Sequence, residues 1–165
     1  MTTPRILASR DRLVSAWYSM LEVDGQAPPD PFASPPPGGW AVCRGSKLLI
    51  RTGGEDNLLL RVRFESWTAE PVVGDDRSEL DPVTCTLAVP AGAVTVSDGE
   101  VAAGAFALPA PGDYRVRVTA HGRDAARLYD EAATRSRDFD DPQFQADWAL
   151  LNGRETYVLR FWPAP

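Results

Sequence analysis

Apolar and polar positions alternate with a period of two over much of this chain, the pattern of strands with one buried face. In Leu58 to Trp67, Leu58, Leu60, Val62 and Phe64 share one parity, and Leu59, Arg61, Arg63 and Glu65 share the other. Tyr114, Val116, Val118 and Ala120 alternate in the same way with Arg115, Arg117, Thr119 and His121. Further strands are predicted over Leu13–Val23, Val83–Val89, Ala93–Ser97, Phe106–Leu108 and Glu155–Trp162. Trp40–Arg44 and Lys47–Arg51 flank Gly45-Ser46, which suits a two-residue primed turn and predicts a hairpin.

Between His121 and Glu155 the period lengthens. Ala125, Leu128, Tyr129, Ala132 and Ala133 recur at helical spacing, with Asp124 as the expected N-cap. Asp141-Pro142 opens a second helix carrying Phe144, Trp148 and Leu151, and Asn152-Gly153 stops it. About eight short strands separated by turn signals predict a mainly β chain. The expected architecture is a single antiparallel β-sandwich over residues 1–165, with a short helical insert at about 124–151 before the last strand. Leu108-Pro109-Ala110-Pro111-Gly112-Asp113-Tyr114 has the form of a tyrosine corner, in which a late-strand Tyr hydroxyl returns to nearby backbone. Gly25 to Gly39 carries six prolines and three glycines and reads as a loop.

Composition narrows the chemistry. The chain has 165 residues, 17 Lys+Arg against 23 Asp+Glu, and a net charge of −6. That balance argues against nucleic acid as a direct partner. One histidine, His121, and two cysteines, Cys43 and Cys85, leave no material for multi-His/Cys zinc sites or Cys-x-x-Cys redox motifs. Phosphate-binding glycine loops and nucleophile elbows are missing too, so no cofactor is expected. The cysteines lie in apolar strands and read as two free, buried thiols, with a disulfide or a nucleophile as the alternatives. Free thiols, together with the lack of a signal-type or membrane-length apolar run, predict a cytoplasmic protein.

Carboxylates are the abundant functional groups. The loop Asp75, Asp76, Glu79, Asp81 and the run Asp138, Asp140, Asp141 are candidate partner-binding acids. The plain reading is solvated loop charge. The functional reading is mimicry of nucleic-acid phosphates toward a basic partner, since clustered acids speed such association. The run lacks EF-hand spacing, so no metal site is expected. Arg61, Arg63, Arg115, Arg117 and Arg160 form a guanidinium stripe if their strands are neighbours. Such a stripe either binds anions or pairs with Glu65 on a solvated face. His121 sits at a strand end and would need Asp124 or Ser9 beside it to act as a base. The five tryptophans are expected in core or interface.

The order of features resembles the competence protein J (ComJ) family of small β-rich bacterial proteins. The matching stretches are Leu13–Val23, Gly39–Gly45, Leu58–Phe64, Thr86–Pro90, Phe106–Tyr114 and Glu155–Val158. The segment Arg123–Arg154 is longer than that pattern, and Gly25–Gly39 is richer in proline. The resemblance implies a β-sandwich that binds and restrains a partner protein, as the founding member restrains a nuclease. It transfers no site residue. The expected function is therefore a non-catalytic protein-binding module of the inhibitor or immunity type. The alternatives are a carboxylate-dependent enzyme or ligand-binding protein, and a structural or assembly module.

Overall fold

The computed structural model describes residues 3–16, 18–25, 37–54, 57–72, 77–97, 102–136 and 138–165. Two five-stranded sheets face each other. The first has the order β1 (Ile6–Val14), β5 (Leu60–Trp67), β10 (Thr156–Pro163), β9 (Gly112–His121), β6 (Val83–Val89). The second runs β3 (Ala41–Arg44), β4 (Lys47–Arg51), β2 (Met20–Asp24), β7 (Ala93–Ser97), β8 (Ala102–Ala107). The helices α1 (Ala125–Arg135) and α2 (Pro142–Leu151) lie between β9 and β10, as the change of period predicts.

Inward parities meet between the sheets. Leu60, Val62, Phe64, Val116, Val118, Tyr157, Leu159 and Phe161 from the first sheet pack on Leu21, Val23, Leu48, Ile50, Val94 and Phe106 from the second. Phe64 stacks on Phe106 at 5.4 Å and on Phe161 at 6.3 Å, bridging the layers. Burying rings and branched chains in this way supplies the main driving force of the fold. Of the tryptophans, Trp162 is buried and Trp40, Trp67 and Trp148 are half-buried, while Trp17 lies outside the described residues.

The described residues form ten strands where about eight were expected, and one of the added strands has a local reason. The alternating run Leu13–Val23 is two strands in different sheets, and the first begins at Ile6. Between them Tyr18 and Ser19 both adopt left-handed backbone, with φ of +47° and +59°. That turns the chain from one layer to the other without a glycine. All pairings are antiparallel except β10 with β5. β6 therefore runs parallel to β5 with two strands between them, so a crossover connection is required. In agreement, Glu70 reaches Arg117 at 3.5 Å and Glu79 N donates to Ala120 O at 2.8 Å. The outward-facing Val158 and Thr119 are buried.

The tyrosine corner is present: Tyr114 Oη donates to Ala110 O at 2.7 Å and accepts from Ala110 N at 3.2 Å. Tyr114→Phe is expected to destabilise by about 1–3 kcal/mol, because both backbone groups lose their partner. A two-state urea titration measures the loss. The hairpin β3–β4 closes as expected, with Arg44 opposite Lys47 and Gly45 at φ +59°.

The cysteines are not free. Cys43 on β3 and Cys85 on β6 form a disulfide, their Cα atoms 5.8 Å apart. Each belongs to the edge strand of its sheet, so the bond fastens the two layers along one side. Their separation of 42 residues carried no pairing signal, because the contact exists only once the sheets face each other. Such bonds persist in oxidising surroundings, so the cytoplasmic expectation loses the free thiols on which it stood. No helix among the described residues is long and apolar enough to cross a membrane. On the opposite side Arg10, inward-facing on edge strand β1, donates to Ala105 O of β8 at 3.3 Å. Inward charge on an edge strand discourages pairing with other chains.

Candidate protein-binding surface

Described parts of three connections meet at one end of the sandwich: Tyr18-Ser19, Thr52–Gly54 with Asn57–Leu59, and the helical insert. Thr52 N donates to Ser19 O at 2.8 Å, and Arg123 Nη1 donates to Arg51 O at 2.8 Å. Beneath them lies Glu155, only 1 % exposed. Its Oε1 accepts from Gly53 N at 2.6 Å and from Tyr157 Oη at 2.5 Å. Arg123 Nη1 also donates to Tyr157 Oη, at 2.8 Å. Burial pushes the Glu155 carboxyl above its usual range, against the pull of these donors. Burial, then the neighbouring carboxylate, likewise raises the Tyr157 phenol. This network fixes the Thr52–Gly54 backbone to the sheet.

The fixed backbone forms one wall of a cleft of about 320 Å3, lined by Ser19, Gly53, Gly54, Ala126, Tyr129 and Asp130, among others. Both glycines are needed there. A Cβ on Gly53 would lie 2.9 Å from Arg123 O, and one on Gly54 would lie 2.7 Å from Ala126 Cβ. α1 closes the other wall through Leu58, Ala125 and Leu151, joined by Leu128, Tyr129 and Trp148. Trp148 Nε1 donates to Asn57 O at 2.9 Å, tying α2 to the same loop. At the rim, Tyr18 is 80 % exposed, and its left-handed backbone and that of Ser19 cost roughly 1 kcal/mol or more each. Exposed tyrosines of this kind are common anchors of protein contacts.

The predicted acids are scattered and mostly engaged. Asp75 and Asp76 lie outside the described residues. Glu79 caps a turn, its two oxygens accepting from Gly122 N at 2.6 Å and Arg123 N at 3.0 Å. Asp81 is exposed, and its carbonyl accepts from Trp40 Nε1 at 3.1 Å. Asp138 Oδ1 accepts from Asp140 N at 3.1 Å, and Asp141 caps α2 by accepting from Gln143 N at 2.8 Å. No cluster of three or more His, Cys, Asp or Glu among the described residues is placed to hold a metal. Asp124 does not cap α1 with its side chain. Instead its carboxylate accepts from Arg154 Nε and Nη2 at 3.0 and 2.8 Å, which holds its pKa down. Ser9 is on β1 and His121 on β9, with two strands between them. Three strand spacings, about 14 Å, separate those strands, so Ser9 is not beside His121.

The arginine stripe is contiguous. Register sets Arg160 beside Glu65 on β5 and beside Arg117 on β9. Buried Glu65 accepts from Arg63 Nε at 2.8 Å, Arg160 Nε at 3.0 Å and Trp67 Nε1 at 3.1 Å. Asp11 lies 3.7 Å from Arg61 and 3.8 Å from Arg63. Within the sheet Glu65 and Asp11 thus pair with Arg61, Arg63 and Arg160, and Arg117 meets Glu70 of the following connection, so the face is partly neutralised.

No protein-family model and no curated protein sequence matches this chain. Solved structures do. ComJ of Bacillus subtilis, an inhibitor of the DNA-degrading activity of NucA, superimposes with a TM-score of 0.61. The match covers 99% of this chain and 100% of that one, at 13% identity. The fold is ComJ-like. The product of crocagin biosynthetic gene J matches with a TM-score of 0.50, the same coverage and 13% identity. The ComJ-like fold thus accommodates the helical insert and both sheets within its whole length. At this identity the likeness speaks for the fold alone.

Proposed function

We propose that this chain is a non-catalytic, single-domain protein-binding module of the inhibitor or immunity type, acting on a basic, nuclease-like partner. The observation that carries the reading is the end-to-end ComJ-like match, since ComJ itself restrains a nuclease. Two further features support it. The net charge of −6 favours approach of a basic protein over approach of DNA. Asp81, Asp138 and Asp140 are exposed and contribute to that field, although they lie on different connections and make no single patch. Asp75 and Asp76, outside the described residues, add to the same net charge, while Glu79 and Asp141 hold a turn and a helix start.

The test uses the purified chain as bait in an extract of its host, followed by addition of the chain to each host nuclease in a DNA-degradation assay. Near-complete loss of digestion at a molar equivalent is expected for one of them. Full digestion by all of them would overturn the reading.

A further inference from the structure

The cleft between Gly53-Gly54 and α1 has the form of a receptor for one long cationic side chain. Among its described lining residues, Asp130 carries the only charge, and it is exposed at the mouth. The lining is mainly polar, and Leu58, Ala126 and Tyr129, whose ring also meets Phe144 edge-on at 5.7 Å, supply the smaller apolar share against which the methylene stem of an arginine or lysine can lie. A phenol ring and a carboxylate together attract a guanidinium by cation–π and ionic contact. The opposite wall is rigid, because Gly53 N is held by the buried Glu155 carboxylate and Thr52 Oγ1 donates to Gly54 O at 2.6 Å. A rigid wall loses little freedom when a ligand seats against it. A second cleft of similar size, about 340 Å3 at Arg135, Asp141 and Asp147, has its carboxylates occupied. There Asp147 accepts from Gln143 Nε2 at 2.9 Å and Asp141 caps α2.

We infer that this cleft receives an arginine or lysine side chain presented by the partner protein, with Asp130 as its counter-charge and Tyr18 packing beside the entry. The inference rests on the inhibitor reading for the identity of the partner, while the cleft's preference for a cation can be measured without any partner.

The probe is N-acetyl-arginine N-methylamide, titrated into isotope-labelled protein and followed by backbone amide shifts. The uncharged N-acetyl-glutamine analogue and free arginine serve as comparisons. Saturable shifts are expected at Gly53, Gly54, Ala126 and Tyr129 with the blocked arginine. The glutamine analogue should not saturate, and free arginine, with its extra carboxylate near Asp130, should bind more weakly. Asp130→Asn should weaken the blocked probe about tenfold, whereas Asp113→Asn on β9 should leave it unchanged. Shifts scattered over the surface, equal response to the glutamine analogue, or affinity indifferent to Asp130→Asn would each overturn the assignment. The two readings fail separately. Nuclease inhibition that survives Asp130→Asn removes the cleft from the contact and leaves the inhibitor reading standing. A cleft that binds the probe in a chain that inhibits nothing does the reverse.

Discussion

Opening the Cys43–Cys85 bond is expected to cost about 4 kcal/mol of folding stability. The bond closes a loop of 42 residues, and releasing that constraint restores chain entropy to the unfolded state on this scale. For a chain of this length the melting temperature should fall by roughly 8–16 °C. The position sharpens the expectation. Cys43 and Cys85 sit on the edge strands of opposite sheets, and no ladder hydrogen bonds join those strands directly. Loss of the bond therefore leaves that side held by Trp40, Leu80, the core and the hydrogen bonds from Ala88 N to Gly45 O and from Trp40 Nε1 to Asp81 O. Melting the wild type with and without a thiol reductant, beside Cys43→Ala/Cys85→Ala, checks it. The reduced wild type and the double variant should melt together, well below the oxidised protein. An unchanged midpoint in reductant would show that the bond contributes nothing to holding the sheets together.

Glu155→Ala should also be damaging, at about 1–3 kcal/mol. It removes the acceptor of Gly53 N and of Tyr157 Oη, and the buried phenol, still accepting from Arg123 Nη1, is left with no acceptor for its own proton. Glu155→Gln keeps an acceptor oxygen and removes the buried charge, so it separates the hydrogen bonds from the ionisation. Because burial raises this carboxyl in the folded state, the folded protein holds its proton more tightly than the unfolded chain does. The wild type should therefore lose stability relative to Glu155→Gln as pH rises from about 4.3, the unfolded carboxylate value, through the higher folded pKa. Urea midpoints of the two proteins across that interval measure the difference. A gap that stays constant with pH would mean that the carboxylate does not titrate abnormally.

The parts of this fold legible in the sequence are those written locally. Alternation placed β6 and β7 to the residue, Gly45-Ser46 marked its hairpin, and Asp141-Pro142 with Asn152-Gly153 bounded α2. The tyrosine corner was visible because Tyr114 and Ala110 are four residues apart. What escaped depends on contacts between distant segments. Nothing in Tyr18-Ser19 signals two left-handed residues, so β1 and β2 merged into one strand. The disulfide needed the sheets to face each other, and the arginine stripe needed the parallel seating of β10 between β5 and β9. Two of the acids read as a surface, Glu79 and Asp141, accept backbone N–H groups at a turn and a helix start, contacts that sequence spacing alone did not assign. The Glu155 network did leave a trace. Glu155 shares the inward parity of Tyr157, Leu159 and Phe161, and a carboxylate on a core-facing parity announces a buried polar site.

A titration of inhibition at two DNA concentrations tests directly whether this chain acts on a protein and not on DNA. With the nuclease held fixed, the chain is added in increments and the rate of DNA cleavage is followed. If the chain binds the nuclease, activity should fall to its floor near one equivalent of nuclease, at the same point when the DNA is raised tenfold. If the outer arginine face coats DNA instead, the endpoint should move in proportion to the DNA, and that result would contradict a protein-directed inhibitor.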